Sequence, residues 1–402
     1  MMRRASTSIS VETRLAASRI AKVASPVNSV ISGANLVRFR RTLLRWYDEH
    51  RRDLPWRESS DPYRIWLSEI MLQQTRVAAV LEHYRIFLER FPNVQALAAA
   101  SEVAVLAAWS GLGYYRRARM LHRCAQQIVE QHGGCFPQNP ESLRALPGIG
   151  RYTAAAVASI AFARPVAVVD GNVERVLQRL IRQKTIGKKT TGINLTTPQT
   201  WQHAQTLLAD SRPGDFNQAM MELGATVCVP REPRCAVCPV RKWCATRGVA
   251  QGEVPREVPS AKPLSRQRKR QIWCALEWRN RNGSGDASGQ IRLVLRPKKV
   301  SLMPGMWELP QSSEPPRTVP ATAHWRTFRH SITITDYTVH VFESARGRGG
   351  ACADRSRRAP SKRGGAPLPH KTAKGRWVAI DRIPQLPLTG LTRKILRAGG
   401  II

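Results

Sequence analysis

The sequence predicts a mainly helical domain followed by a smaller domain that combines strands with one helix. From Leu36 to about Thr246, apolar residues recur at spacings of three and four, which is typical of one face of an α-helix. After Gln271 the spacing of apolar residues changes to two, as in strands that bury one face. Residues 248–270, between the two patterns, are rich in proline and charge, and we expect them to form a linker.

The helical domain is predicted at residues 36–247 as about ten short helices, because glycine and proline interrupt its apolar pattern repeatedly. Residues 1–35 precede it and contain many Ser, Ala and Arg residues, a composition that resembles a mitochondrial transit peptide. A disordered extension, or a start codon placed too far upstream, explains this composition equally well.

The second domain is predicted at residues 271–402 as a small α+β fold. Its strands are expected at Ile272–Trp278, Ile291–Arg296 and Ile332–Phe342, and its helix at Thr389–Arg397. Residues 344–374 contain Arg, Gly, Ser and Pro but no core-forming pattern, so we expect a disordered basic insertion there. A reading-frame error would give the same composition.

The chain is strongly basic, with 64 Lys and Arg against 28 acidic residues and a formal net charge of +36. An excess of this size favours a polyanion such as nucleic acid over a neutral metabolite as the partner. A basic tail on an ordinary enzyme explains only part of it, because residues 344–376 contain ten of the basic residues. No stretch approaches the roughly 18 apolar residues of a membrane span, so we expect no membrane association.

The segment Leu146-Pro147-Gly148-Ile149-Gly150 lies between two predicted helices. Gly148 and Gly150 allow the backbone to turn sharply and to approach a ligand closely. The N–H groups at the start of the following helix favour an anion. The segment is therefore a candidate binding site for a DNA phosphate, although Leu-Pro-Gly also occurs as a plain turn between helices.

Four of the eight cysteines lie within seventeen residues, at Cys228, Cys235, Cys238 and Cys244, with six, two and five residues between them. Thiolates this close on a loop-rich segment can enclose either a single zinc ion or a cubane iron–sulfur cluster. Structural zinc sites usually use paired Cys-x-x-Cys units, and only one such pair is present here. The uneven spacing therefore favours the iron–sulfur cluster and a reducing compartment.

Two acidic residues are candidates for catalysis. Asp170 ends an apolar run just before a predicted helix, where the ordinary role of an acid is to cap the helix. The helix dipole would also keep this carboxylate ionised, which suits an anion that faces a cationic transition state. Glu69 lies in an apolar helical segment, either on its solvated face or in a pocket where burial would keep it protonated as a general acid.

These segments in this order resemble the helix-hairpin-helix DNA glycosylases, and the resemblance extends from about Leu36 to Thr246. The endonuclease III branch of that superfamily has a catalytic lysine two residues after the hairpin, where this chain has Tyr152. The MutY branch of adenine-specific glycosylases has Ser or Tyr there. Three further motifs of that branch are found at Leu67–Thr75, Gly111–Tyr115 and Phe216–Met221. The chain is therefore identified as a member of the MutY family.

The resemblance implies a role for each matching residue. Glu69 would protonate the adenine ring, and Asp170 would stabilise the sugar cation or bond to it, assisted by Tyr152 and Asn172. Arg57 and Glu222 would line the adenine pocket, and the four cysteines would bind a [4Fe–4S] cluster. The residues expected to contact DNA are Gln74, Thr75, Leu112, Tyr114, Gly148, Gly150, Phe328, Arg329 and His330.

The segment after Gln271 resembles the Nudix-like domain by which this family recognises 8-oxoguanine, with matching motifs at Trp307–Pro310 and Thr327–His330. The metal-binding Nudix helix is missing, so we do not expect pyrophosphate hydrolysis. The family usually has Phe-Ser-His where this chain has Phe328-Arg329-His330. This removes the serine contact to the damaged base and leaves Arg329 to reach a phosphate or a base edge.

The resemblance implies a monomeric enzyme that hydrolyses the N-glycosidic bond of adenine opposite 8-oxoguanine, or more weakly opposite guanine, in double-stranded DNA. It would act in the bacterial cytoplasm at the nucleoid, or in the nucleus or mitochondria of a eukaryote. A bifunctional pyrimidine glycosylase with lyase activity is one rival, against which Tyr152 argues. A non-catalytic DNA-binding protein is the other, against which Glu69 and Asp170 argue.

Overall fold

The computed structural model of the protein describes residues 31–181, 197–247, 268–279, 289–315, 324–332, 334–345 and 375–402. Helices occupy the described residues up to Thr226, and a sheet with one further α-helix follows, so the predicted order of a helical region and a smaller sheet-containing region is confirmed. No helix in these residues is long and apolar enough to cross a membrane. The contacts between residues divide the chain into two units, which we call the first and the second unit.

The described elements are as follows in chain order. The α-helices are α1 (Gly33–His50), α2 (Pro62–Leu72), α3 (Val77–Arg90), α4 (Val94–Ala99), α5 (Glu102–Ala108), α6 (Arg116–His132), α7 (Pro140–Ala145), α8 (Arg151–Phe162), α9 (Gly171–Ile181), α10 (Thr197–Leu207), α11 (Pro213–Thr226) and α12 (Gly390–Ala398). The strands are β1 (Arg268–Arg279), β2 (Gln290–Leu295), β3 (Trp307–Glu308), β4 (Gln311–Ser312), β5 (His324–Ile332), β6 (Thr335–Ala345) and β7 (Arg376–Ala379).

The first unit comprises Met1–Asp53, Gln138–Pro140 and Arg151–Val258. Helices α1, α9, α10 and α11 share one hydrophobic core, to which the cysteine-rich segment contributes Trp243. The core is rich in aromatic side chains, and the ring of Phe39 packs edge-on against Trp243 at 5.5 Å between centroids. Gly224 allows α11 to approach the start of α9, because a Cβ there would lie 2.6 Å from the Cβ of Asn172.

The second unit comprises Leu54–Pro137, Glu141–Gly150 and Pro259–Ile402. Its sheet has the strand order β3-β2-β1-β6-β5, with β4 paired to β1 and β7 paired to β2. Strands β1 and β6 run parallel, and the other pairs are antiparallel. Apolar side chains of β1, β2 and β6 pack with α12 in the core of this sheet. Helices α2 to α6 and most of α7 belong to the same unit.

Two boundaries differ from those that the sequence predicts. Helix α1 begins at Gly33, and the side chain of Ile31 is buried in the core, so the helical region includes residues before Leu36. Strand β1 begins at Arg268, inside the segment predicted as a linker. Residues 1–30, 248–267 and 346–374, which hold most of the predicted extension, linker and basic insertion, lie outside the described residues.

The predicted strand Ile332–Phe342 is wrong, because the structure divides it between two strands. Strand β5 ends at Ile332, and β6 begins at Thr335, which is the register partner of Ile332 in the hairpin. The alternation of apolar residues changes phase here: Ile332 and Ile334 are followed by Tyr337, one position later than a continuous strand requires. This change of phase is the sequence signal of the turn.

Candidate functional site

Asp170 lies at the start of α9 in the first unit and caps that helix. One carboxylate oxygen, Oδ1, accepts a hydrogen bond from the backbone N–H of Val173 at 2.7 Å. The other, Oδ2, accepts from Nδ2 of Asn172 at 3.0 Å. The carboxylate is half-buried and lies at the N-terminal end of α9. The two hydrogen bonds therefore fix the position of its oxygens, and the group keeps some access to solvent.

Asn172 is in turn connected to the cysteine-rich segment through Arg175. Nη2 of Arg175 donates to Oδ1 of Asn172 at 2.9 Å and to the carbonyl of Gly224 at 2.6 Å. Its Nε donates to the carbonyl of Cys228 at 2.8 Å. Burial lowers the pKa of Arg175, and the neighbouring Cys228 and Asp170 oppose that shift. One buried arginine thus joins the Asp170–Asn172 pair to the first cysteine.

The cysteines differ in burial. Cys228, Cys238 and Cys244 are half-buried and pack against the core of the first unit, whereas Cys235 is exposed. Nη1 of Arg179 donates to Sγ of Cys228 at 3.2 Å. Burial raises the pKa of the Cys238 thiol to about 12. Among the described residues, no group of three or more His, Cys, Asp or Glu side chains is arranged so that it could hold a metal ion.

Glu222, expected in the adenine pocket, is 1% exposed on α11. Nε and Nη2 of Arg52 donate to its two carboxylate oxygens at 2.6 and 2.9 Å, a bidentate ion pair that raises the pKa of Arg52. On α8, the hydroxyl of Tyr152 donates to Sδ of Met221 at 3.4 Å. Glu222, Tyr152, Asp170 and Asn172 thus all lie on helices of the first unit or at their ends.

Glu69 lies on α2 of the second unit and is 8% exposed. Every residue from Ile65 to Met71 is buried, so this helix has no solvated face over these two turns. The sequence left a solvated face and a pocket open for Glu69, and the burial of its side chain favours the pocket. Arg57, at the end of a short 3₁₀ helix in the same unit, is half-buried.

A cavity of about 1020 Å³ in the second unit gathers most of the residues expected to contact DNA. Gln74, Leu112, Tyr114 and Gly148 line it. Gln74 and Tyr114 are exposed, and their backbones are left-handed, with φ of 55° and 47°. Residues other than glycine rarely adopt this conformation. Gly148 has a φ of 76°, and a Cβ there would lie 2.7 Å from the Cβ of Met120. Thr75 lies beside Gln74 and is half-buried, and Gly150 has open space around it.

The three residues expected to contact DNA from the sheet differ in orientation. Phe328 is buried in the core of the sheet, so its ring supports β5 rather than a DNA contact. His330 lines the cavity with Ser331 and Ile332, and burial lowers the pKa of its imidazole. Arg329 is exposed on β5 outside the cavity lining, and its carbonyl accepts from Nζ of Lys394 at 2.9 Å.

Sequence reasoning missed four arginines at these sites. They are Arg52, Arg117, Arg175 and Arg179. Most of their acceptors are backbone carbonyls or carboxylates far away in the chain, so no local motif marks them. A partial signal exists for Arg175 and Arg179, which are four residues apart on the apolar face of a helix.

Residues 67–197 match the family described as the HhH-GPD superfamily of base excision DNA repair proteins. The chain is 48% identical over 240 residues to an adenine DNA glycosylase of Mus musculus, a match that covers 57% of this chain and 46% of the mouse protein. It is 45% identical over 207 residues to an adenine DNA glycosylase of Mycobacterium tuberculosis, covering 51% of this chain and 66% of that protein. The chain thus spans about half to two thirds of the length of the curated relatives it matches. The match to the solved structure of a thermostable thymine-DNA glycosylase has 31% sequence identity and a TM-score of 0.47. It covers 52% of this chain and 95% of the chain in that structure.

Proposed function

We propose that this protein removes adenine mispaired with 8-oxoguanine, and more weakly adenine mispaired with guanine. The proposal follows from the family: the chain belongs to the MutY family of adenine DNA glycosylases within the HhH-GPD superfamily. The reaction is hydrolysis of the N-glycosidic bond, which leaves an abasic site. The observation that carries the proposal is the Asp170 carboxylate, held half-buried by Val173 and Asn172 at the start of α9.

The chemistry requires a better leaving group and a stabilised sugar cation. Glu69 is the acid that protonates a ring nitrogen of adenine, and its burial on α2 suits an acid kept away from bulk water. Asp170 supplies the negative charge that stabilises the oxocarbenium-like cation as the bond to adenine breaks. Water then completes the hydrolysis, with Tyr152 and Asn172 assisting.

Tyr152 separates this proposal from a glycosylase with lyase activity. Such an enzyme needs an amine that forms an imine with the sugar, and a phenol cannot do so. The hydroxyl of Tyr152 is oriented by Met221, on a helix next to its own. We therefore assign this position a role in placing the sugar and excluding nucleophiles other than water.

Adenine itself is recognised by Arg57 and Glu222. The ion pair with Arg52 fixes both carboxylate oxygens of Glu222 in one orientation. A carboxylate that recognises the edge of a base needs such a fixed orientation. Gln74 and Tyr114 enter the base stack beside the mispair, with Thr75 and Leu112 next to the opposite base. Gly148 and Gly150 bind a phosphate through backbone N–H groups.

The four cysteines lie on one short segment and would bind a [4Fe–4S] cluster, which would have a structural and DNA-docking role. The unequal intervals of six, two and five residues favour a cubane, to which each cysteine would contribute one thiolate, over a single zinc ion. Bound iron would also keep the buried thiols deprotonated, which burial alone opposes. The exposed basic residues on this segment, which would face phosphates, are Arg231, Arg234, Arg241 and Lys242.

Arg175→Lys is expected to lower the single-turnover rate of adenine release by about 10-fold to 100-fold while leaving DNA affinity within about threefold. The reason is that lysine cannot reach Asn172, Gly224 and Cys228 together, so the partner of Asp170 loses its orientation. The matched control is Arg45→Lys, an exposed position on α1. An equal loss of affinity and rate would show that Arg175 matters only for folding or docking.

Arg329→Ala is expected to weaken binding equally for duplexes with adenine opposite 8-oxoguanine and opposite guanine. An exposed arginine outside the cavity lining is placed to contact a phosphate. Its removal should therefore make the slope of log affinity against log salt concentration less steep by about 1. Binding titrations at several salt concentrations measure both quantities. A loss of about 1–3 kcal/mol confined to the 8-oxoguanine pair would instead assign Arg329 to a base edge.

A panel of duplexes tests the proposed function. Single-turnover cleavage should be fastest for adenine opposite 8-oxoguanine, slower opposite guanine and undetectable opposite thymine. The full-length, cluster-containing protein is required, since the cavity includes residues of the sheet. Cleavage of a damaged pyrimidine, or binding of the mispair with no release of base, would replace the proposal by one of the two rivals.

A further inference from the structure

Arg117, on α6 of the second unit, binds the backbone at the end of α2. Its Nη1 donates to the carbonyl oxygens of Ile70 and Met71 at 2.9 Å each, and also to the carbonyl of Gln73. Its Nη2 donates to Oγ1 of Thr75 at 3.1 Å. The guanidinium therefore binds the residue before Gln74 and the residue after it.

The same Nη2 also binds a second loop. It donates to the carbonyls of Leu112 and Gly113 at 3.2 and 3.3 Å. Gly113 directly precedes Tyr114, so Arg117 again binds next to a residue with a left-handed backbone. One planar group with several fixed donors thus joins two loops that lie about forty residues apart in sequence.

The surroundings of Arg117 hold its head group in place. The guanidinium carbon lies 5.3 Å from the centroid of the Trp109 ring and 5.6 Å from that of the Tyr114 ring, within the range of a cation–π contact. Burial lowers the pKa of Arg117 to about 10, which still leaves it cationic at neutral pH. Residues held in rare backbone conformations persist only where several contacts fix them, and Arg117 supplies these contacts for Gln74 and Tyr114 together.

We propose that Arg117 is a positioning residue that holds Gln74 and Tyr114 in the conformation in which they enter the base stack. The inference rests on the proposed function, since base-stack insertion is part of it. Arg117 acts through the two loops and contacts neither adenine nor the sugar. A lysine at this position keeps the charge but offers a single nitrogen, which cannot reach both loops at once.

The test measures unstacking of DNA with a fluorescent adenine analogue placed next to the mispair of 8-oxoguanine and adenine. The full-length, cluster-containing protein with Asp170→Asn binds this duplex and leaves the base uncleaved. Arg117→Lys should reduce the fluorescence rise at saturating protein by about threefold or more. Arg123→Ala, which removes an exposed cation from the same helix, should leave the rise unchanged.

A multiple-substitution comparison separates positioning from direct contact with DNA. In a protein that already carries Gln74→Ala and Tyr114→Ala, Arg117→Lys should have no further effect on the fluorescence rise. An additional decrease, or a full rise for Arg117→Lys alone, would overturn the inference. If Arg117→Ala melts at a much lower temperature, Arg117→Lys remains the deciding variant.

The outcomes for the inference and for the proposed function are distinguishable. Adenine release is measured in parallel with protein in which Asp170 is unsubstituted. Normal release together with an Arg117→Lys protein that still unstacks DNA fully would overturn the inference alone. Unstacking that depends on Arg117, without any release of adenine, would overturn the proposed function alone. No fluorescence rise with Arg117 intact would also overturn the inference, because there would be no insertion to position.

Discussion

Glu69→Gln is expected to slow single-turnover release of adenine by roughly 10²–10⁴-fold, the range lost with a general acid. Glutamine has nearly the same volume as glutamate and fits the same buried position on α2, but it has no proton to give to the ring nitrogen. Asp170→Asn should slow release by roughly 10²–10³-fold, because the charge that stabilises the cation is lost. Asparagine is also a good helix cap, so α9 should keep its start.

The controls for these substitutions are Glu130→Gln and Asp210→Asn, which change exposed carboxylates on the surface. All four variants should bind the mispair with affinities within about threefold of the unsubstituted protein, since none of the four substitutions removes a phosphate contact. Release by Glu69→Gln at the unsubstituted rate would show that another group protonates adenine. Weak binding with an unchanged rate would place Glu69 in recognition and not in catalysis.

Cys244→Ser is the second substitution with a large expected effect. The loss of one ligand should remove the iron, the visible absorbance and much of the free energy of unfolding of the first unit, whose core contains Trp243 beside this cysteine. Adenine release should fall with it, because the carbonyl of Cys228 accepts a hydrogen bond from Arg175, which orients Asn172. Cys135→Ser, at an exposed cysteine outside the segment, should change none of these properties.

Metal analysis decides between the two centres that the spacing of the cysteines allowed. A cluster requires about four iron atoms and four inorganic sulfides for each chain. A colourless protein with one zinc ion for each chain, and with full adenine release, would contradict the iron–sulfur proposal and leave the glycosylase proposal intact.

The sequence was informative where the structure depends on local patterns. Asp170 precedes an amphipathic helix and caps it as predicted, and Gly148 has the left-handed backbone that a sharp turn needs. The order of a helical region and a sheet region also follows from the change in apolar spacing. These features depend on residues close together in sequence, so a pattern over ten to twenty residues is enough to find them.

The remaining parts of the site depend on partners distant in sequence. Arg175 is buried and Arg117 is half-buried, and both donate to carbonyls of several elements. No pattern in the residues next to them in the chain predicts these contacts. Phe328 and Arg329 illustrate a different limit. Neighbours on a strand point to opposite faces, so a buried Phe328 requires Arg329 to point away from the core. The resemblance to the family motif predicted that both residues contact DNA, because it does not take this alternation along the strand into account.

Quantifying free adenine in a single turnover tests the central claim most directly. Full-length, cluster-containing protein in excess over a duplex with adenine opposite 8-oxoguanine should release about one adenine for each bound duplex. The product strand should stay intact until alkali cleaves it at the abasic site, and borohydride should trap no protein–DNA adduct, since Tyr152 offers no amine. A duplex that stays bound with adenine unreleased, or an adduct that forms in proportion to product, would contradict hydrolysis by Glu69 and Asp170.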